Sequence, residues 1–326
     1  MHKFVAAAFA AWLGFAQPAA AQHHHQSAAP VSPEQAATPE ARATDIGAFR
    51  KDFLDADNSY SPAARAEAEA RLSRLEADRA SVSQAYFELE LARIAALADN
   101  GHTGMFFGPL SRAYNRIEVR LAPFGEHFYV LRARLADADL LGARLEAIDA
   151  RPIAQLRDLA HTLAGGIASQ RDRSAPYFLE SPQQMHALGV AVRSDRALYR
   201  FQLLDGSDVE RELAAELANP ERPRANSDRW FYPKLMAEEG SQWRGLISTE
   251  QAPWALRDPD DPFRWREAPE INGLVIELRQ NNSGEDQSIA SFLNEARSAI
   301  AAHHPANLVL DMRMNGGGDL NTTRDF

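Results

Sequence analysis

The sequence predicts a multi-domain chain of mixed α/β and α+β character: a helical amino-terminal part, a small β-rich module and the start of a parallel α/β core. Three observations predict it. Apolar residues recur at helical spacing between residues 46 and 100, short alternating runs follow from about residue 116, and the stretch from Gly273 to Met312 reads strand, helix, strand.

Residues 1–21 carry a basic start (His2, Lys3), an apolar run over residues 4–16 and small residues Ala19-Ala20-Ala21 before Gln22. That is the order of a secretory signal peptide and implies a periplasmic or secreted protein. About 13 apolar residues fall short of the roughly 20 that a spanning helix needs. Residues 22–45 mix His23-His24-His25 with Ala, Pro, Gln and Ser, a composition that buries no core, so a flexible leader is expected. The three histidines lack carboxylate or cysteine company and read as solvated tail rather than a metal site.

Across residues 46–115 the pattern is that of a helical domain. Ser61-Pro62 is a helix start, followed by Ala66, Ala70, Leu72 and Leu75; a second helix starts at Ser81 or Ser83 and runs through Leu97 to a stop at Asp99-Asn100-Gly101. His102 and Thr103 stand just past that end. Residues 116–175 alternate as strands over 117–121 and 127–133, continue through 140–149, and close with a helix over 153–163 ended by Gly165-Gly166. Leu198 to Leu204 with Asp205-Gly206 reads as a hairpin arm, and residues 219–228 as a polar surface loop.

The last segment is a βαβ unit: a strand over 273–278, a helix over 286–302 with Ile289, Phe292, Leu293, Ala296 and Ile300 on one face, and a buried strand from Asn307 that runs into Asn315-Gly316-Gly317-Gly318. A right-handed crossover makes the strands parallel, so Gln280-Asn281-Asn282 and residues 315–318 are expected to approach one another at the carboxyl ends, where open α/β sheets bind ligands. Bare glycine amides there can hold an oxyanion. Asp311 and Arg313, alternate residues of the strand, can equally form a structural ion pair, and Asn315 can be a turn residue. The sheet as it stands is expected to leave an exposed apolar edge.

There is no cysteine, which excludes disulfides, thiol nucleophiles and Cys-based zinc sites, and 35 Lys and Arg face 45 Asp and Glu, which argues against nucleic acid or an anionic membrane as principal partner. No histidine has metal-ligand spacing with a second histidine and a carboxylate, and no cofactor is expected.

Asp311-Met312-Arg313-Met314-Asn315-Gly316-Gly317-Gly318 resembles the Asp-x-Arg-x-Asn-x-Gly-Gly signature of the tail-specific (C-terminal processing) serine peptidases, and Asp99-Asn100-Gly101-His102-Thr103 resembles the histidine setting of members with a helical front domain and of the tricorn core. Leu141-Gly142-Ala143-Arg144-Leu145-Glu146-Ala147-Ile148-Asp149 is similar to that family's PDZ-like insertion, with Ala150 where glycine is usual. The resemblance implies a PDZ-like module over 116–175 and an incomplete ClpP/crotonase-like protease core over 176–326, for which Pro176-Tyr177-Phe178-Leu179 is the lead-in. It implies hydrolysis of protein or peptide substrates through an acyl-serine, with His102 as general base and Gly317 and Gly318 as oxyanion donors. Thr103, Asn281, Asp311, Arg313, Asn315 and Gly316 are the expected supporting residues. The family's serine and its lysine or glutamate partner come later than Phe326, so residues 1–326 are expected to be inactive alone. Only Lys3, Lys51 and Lys234 are present, which argues against a Ser-Lys dyad, and Ser283 reads as a turn residue. A peptide- or apolar-ligand-binding protein without chemistry is the alternative.

Overall fold

A computed structural model describes residues 37–105, 113–217, 231–235, 240–284, 287–324 and 326. The expected signal peptide, His23 to His25 and the loop at 219–228 lie outside these residues. The chain divides into two compact units, the first ending at Leu246 and the second comprising Tyr232–Lys234 and Ile247–Phe326. Among the described residues no helix is long and apolar enough to cross a membrane.

The first unit begins with helices whose starts are written in the sequence. α1 (Pro39–Ala48) is capped by Thr38, whose side chain accepts from the Ala41 amide; α2 (Pro62–Asp78) is capped by Ser61, and α3 (Gln84–Ala96) by Ser83. Proline at the first helical position of α1 and α2 forfeits an amide that has no helical partner anyway. α1 corrects the expected leader, because the helix occupies residues assigned to it: Ile46 is buried with Phe49, Leu72, Phe87, Leu91 and Ile94 in one core. Arg42 is also buried, donating to the carbonyls of Arg79 and Val82.

An antiparallel sheet follows. Its strands are β1 (Arg116–Ile117), β2 (Val119–Phe124), β3 (His127–Arg134), β4 (Arg144–Ile148), β5 (Arg151–Pro152), β6 (Arg196–Gln202), β7 (Asp208–Glu216) and β8 (Trp243–Gly245). They are ordered β1-β7-β6-β4-β3-β2, with β5 on β4 and β8 on β3. α4 (Ile153–His161), α5 (Ala168–Leu179) and α6 (Pro182–Ala187) pack Leu156, Phe178 and Met185 against Phe128, Val130, Leu145, Tyr199 and Phe201. The expected module boundary at residues 175 and 176 falls inside α5, where Pro176 is buried and Tyr177, Phe178 and Leu179 belong to this core.

Glu180, at the end of α5, is fully buried. Its carboxylate accepts from Arg116 Nε at 2.8 Å and the Leu121 amide at 2.8 Å, and its carbonyl accepts from the Ile117 amide at 2.9 Å. One residue thereby ties the helix end to two strands.

The second unit is the predicted βαβ, preceded by an antiparallel strand: β9 (Phe263–Ala268), β10 (Gly273–Leu278), α7 (Ile289–His303) and β11 (Asn307–Asp311), in sheet order β11-β10-β9. β10 and β11 are parallel, with Val275 opposite Val309. Ile289, Phe292, Leu293 and Ala296 of α7 pack on Phe263, Ile276 and Leu278. The expectation of a buried last strand is overturned, since Leu308 is 50% exposed and Val309 and Leu310 are nearly as open. An apolar run predicts a strand but not what covers it, and among the described residues β11 pairs only with β10. The expected exposed apolar edge is present.

Two outcomes follow from local conformation and charge. Ala150 sits at φ +62°, a left-handed backbone that disfavours any Cβ, in the turn between β4 and β5. Ala150→Gly is expected to raise stability by up to about 1 kcal/mol, the relief of strain exceeding the extra entropy of glycine; an unchanged or lower melting temperature contradicts this. Burial, and then the neighbouring Glu88, push the Asp45 carboxyl up to about 6. The folded chain therefore holds that proton over a range in which the unfolded chain has released it. The contribution to stability is full below about pH 4 and is lost as pH rises through about 6. Melting temperatures at about pH 5 and 7 should differ more in the parent protein than in Asp45→Asn, and equal differences exclude the effect.

Candidate functional site

The expected site residues fall in two groups, one in each unit. In the first, α3 unwinds through Leu97, Ala98 and Asp99, whose amides bond to the carbonyls three residues back, and Asp99 then reverses the chain at φ +49°. The Asn100 side-chain oxygen accepts the His102 amide at 2.9 Å, and the Asn100 carbonyl accepts the Thr103 amide at 3.1 Å. Asn and Asp suit such a turn because their side chains substitute for backbone acceptors. The Asn100 side-chain nitrogen donates to Ser59 Oγ at 2.9 Å.

Thr103 is buried and donates its hydroxyl to Asp57 Oδ2 at 2.7 Å. Burial works to raise the Asp57 carboxyl, but hydrogen bonds from Thr103 and Ser59 outweigh it and hold the group below the usual carboxylate range. Thr103 thus anchors the loop to the preceding helical segment. The His102 side chain is exposed on this anchored loop.

The second group is the glycine turn after β11. Asn315 organises it: its side-chain nitrogen donates to the Leu278 carbonyl and to Asn281 Oδ1, both at 3.0 Å, and its side-chain oxygen accepts the Gly317 amide at 2.8 Å. The Gly316 amide donates to the Arg279 carbonyl at 2.9 Å, and the Asn281 amide to the Gly317 carbonyl at 2.7 Å. The approach of residues 280–282 to the glycines is therefore as predicted. Gly317 and Gly318 have φ of +97° and +129°, and a Cβ on Gly318 would lie 2.9 Å from the Asn281 carbonyl carbon. Glycine is required there on both counts.

This arrangement separates the two expected oxyanion donors. The Gly317 amide is engaged by Asn315, whereas the exposed Gly318 amide has no acceptor among the described residues. Asp311 and Arg313 form the structural ion pair, with Nε to Oδ1 at 3.0 Å and Nη2 to Oδ2 at 2.6 Å. The hydrogen bond from Arg313 is the main reason the Asp311 carboxyl lies below its ordinary value. Asn282 and Thr322 escaped the sequence reading: Asn282 accepts the Asp319 amide at 3.0 Å, and the Thr322 hydroxyl donates to the Asn281 carbonyl. Only the proximity of 280–282 to the turn hinted at Asn282; Thr322 had no signal. Ser283 accepts the Ile289 amide at the start of α7, a structural use, and Lys234 pairs with Asp260 at 2.7 Å.

No protein-family model matches the chain, and no curated protein sequence matches it. Among solved structures, mature CPAF complexed with lactacystin, from a chlamydial serine protease, superposes with a TM-score of 0.50 at 14% identity, covering 89% of this chain and 58% of that one. A CPAF mutant gives 0.49 at 14% identity over 89% and 58%, and mature CPAF gives 0.46 at 13% over 89% and 57%. The first of these shows that the chain shares with CPAF a fold of mixed helix and sheet. The chain spans less than two thirds of the length of these relatives.

Asn315→Ala removes three hydrogen bonds from the turn at once. A loss of about 1–3 kcal/mol is expected, measured by urea unfolding of the second unit through its tryptophans, Trp254 and Trp265; stability equal to the parent protein would show that Asn315 does not organise the turn.

Proposed function

We propose that this chain serves an exported serine endopeptidase of the tail-specific type, with the helical front domain and amino-terminal histidine of the tricorn-like members. The observation that carries the reading is His102, an exposed imidazole on an anchored loop of a serine-protease fold. Imidazole is the side chain suited to taking and returning a proton at neutral pH.

In this reading a serine outside these 326 residues attacks the scissile carbonyl, and its proton passes to His102 as the C–O bond forms. The Gly318 amide, projecting from a turn of the second unit fixed by Asn315, is a donor of the kind that stabilises an oxyanion. Collapse breaks the C–N bond, and His102 returns its proton to the leaving amine. Water then hydrolyses the acyl-enzyme by the same relay, giving two peptide products and free enzyme. Gly317 supports this geometry through its bond to Asn315; it becomes a second donor only if that bond opens. Protein or peptide chains are the substrates.

His102→Ala in the full-length protein is expected to lower kcat on a peptide substrate by about 10²- to 10⁴-fold. Unchanged turnover would remove His102 from the mechanism.

A further inference from the structure

The His102 loop is held on a second side, by residues that no motif marks. The turn between α4 and α5 also reaches the loop, and there the two backbones touch. A Cβ on Gly165 would lie 2.8 Å from both the amide nitrogen and the carbonyl oxygen of Asn100, and a Cβ on Gly166 would lie 3.0 Å from Gly101 Cα. Gly166 also has φ +92°. Gln170, in the first turn of α5, lays its amide over Gly101: its side-chain nitrogen donates to the Gly101 carbonyl at 2.8 Å, and a Cβ on Gly101 would lie 2.2 Å from its oxygen. The Gly166 amide donates to Asp99 Oδ1 at 3.3 Å, and Arg171 bridges Asp99 and the Gly166 carbonyl.

Asp99, Asn100, Gly101 and Thr103 each tie the loop to its surroundings, from two elements far apart in sequence. Backbone-to-backbone packing of this kind admits no side chain and leaves the loop little room to shift. Fixing an exposed turn so fully costs conformational entropy and buries little apolar surface. The return lies in the position it gives His102.

We propose that Gly165, Gly166 and Gln170 are positioning residues for His102, setting where the imidazole stands through backbone contact with residues 100 and 101. The proposal rests on the reading of His102 as general base. It differs from that reading in what it requires: Gly165 and Gln170 act through their contacts with the backbone of residues 100 and 101.

The test uses residues 1–326 with ¹³C-labelled histidine, the His102 ring signal being identified by its loss in His102→Ala. Gly165→Ala forces a methyl against the Asn100 backbone, and Gln170→Ala removes the hydrogen bond to Gly101 with no added bulk. Both are expected to move the His102 ring signal and its titration midpoint while the His303 signal stays in place. In the full-length enzyme both should lower kcat with KM held, by about 10²-fold for Gly165→Ala. If Gly165→Ala does not fold, Gln170→Ala decides. A His102 signal and midpoint identical to the parent protein in Gln170→Ala, and in Gly165→Ala where it folds, overturns the proposal. The functional reading fails differently: His102→Ala then leaves turnover intact, whatever the ring signals do.

Discussion

A charge taken out of water must find an opposite charge or a full set of dipoles, and both units are organised by that requirement. Removing one partner of such a pair leaves an uncompensated buried charge, at a cost of about 3–5 kcal/mol. In the first unit Glu180 draws Arg116 and the start of β2 onto the end of α5. In the second, Glu277 is buried between Arg264 and Arg279. Arg279 also gathers the carbonyls of Ala255, Arg257, Asp258 and Asp261, and its own carbonyl receives the Gly316 amide. The glycine turn is thus bonded directly to a member of a buried ion pair.

Much of the fold was legible because its determinants are local. Ser61-Pro62 announces a helix start that the structure reproduces as a side-chain cap, and of Ser81 and Ser83, both open in the sequence, Ser83 is the cap; the spacing of Ile289, Phe292, Leu293 and Ala296 gives both a helix and its buried face. Other elements escaped for physical reasons. α1 opens in Ala- and Pro-rich sequence with weak amphipathic spacing, and its burial of Arg42 depends on carbonyls some forty positions away. α5 carries Arg171, Asp172 and Arg173 and an internal proline, and its helicity is secured by packing. Glu180 has no sequence signature at all: nothing near it foretells that Arg116 will be its partner.

The site divides along the same line. Residue types suited to a task were visible: a histidine after a helix, glycines after a strand, and an asparagine beside those glycines. The assignment of tasks was not. Whether Gly317 or Gly318 offers its amide depends on a side-chain bond from Asn315, and whether Thr103 faces His102 or the preceding segment depends on Asp57, far earlier in the chain. Asp311 and Arg313 admitted two uses, and only the geometry shows that they pair.

The exposure of β11 bears on how the second unit comes apart. Water reaches Leu308, Val309 and Leu310, so apolar burial holds this strand weakly, and main-chain bonds to β10 carry most of the attachment. A segment of this kind sits at the low end of the range of local opening energies. Because the glycine turn is covalently continuous with it, fraying of β11 would pull Asn315 from the Leu278 carbonyl and dissolve the arrangement of amides in the same step. The geometry of the turn is then a property of the strand's hold on β10, and any contact that pins β11 also sharpens the turn.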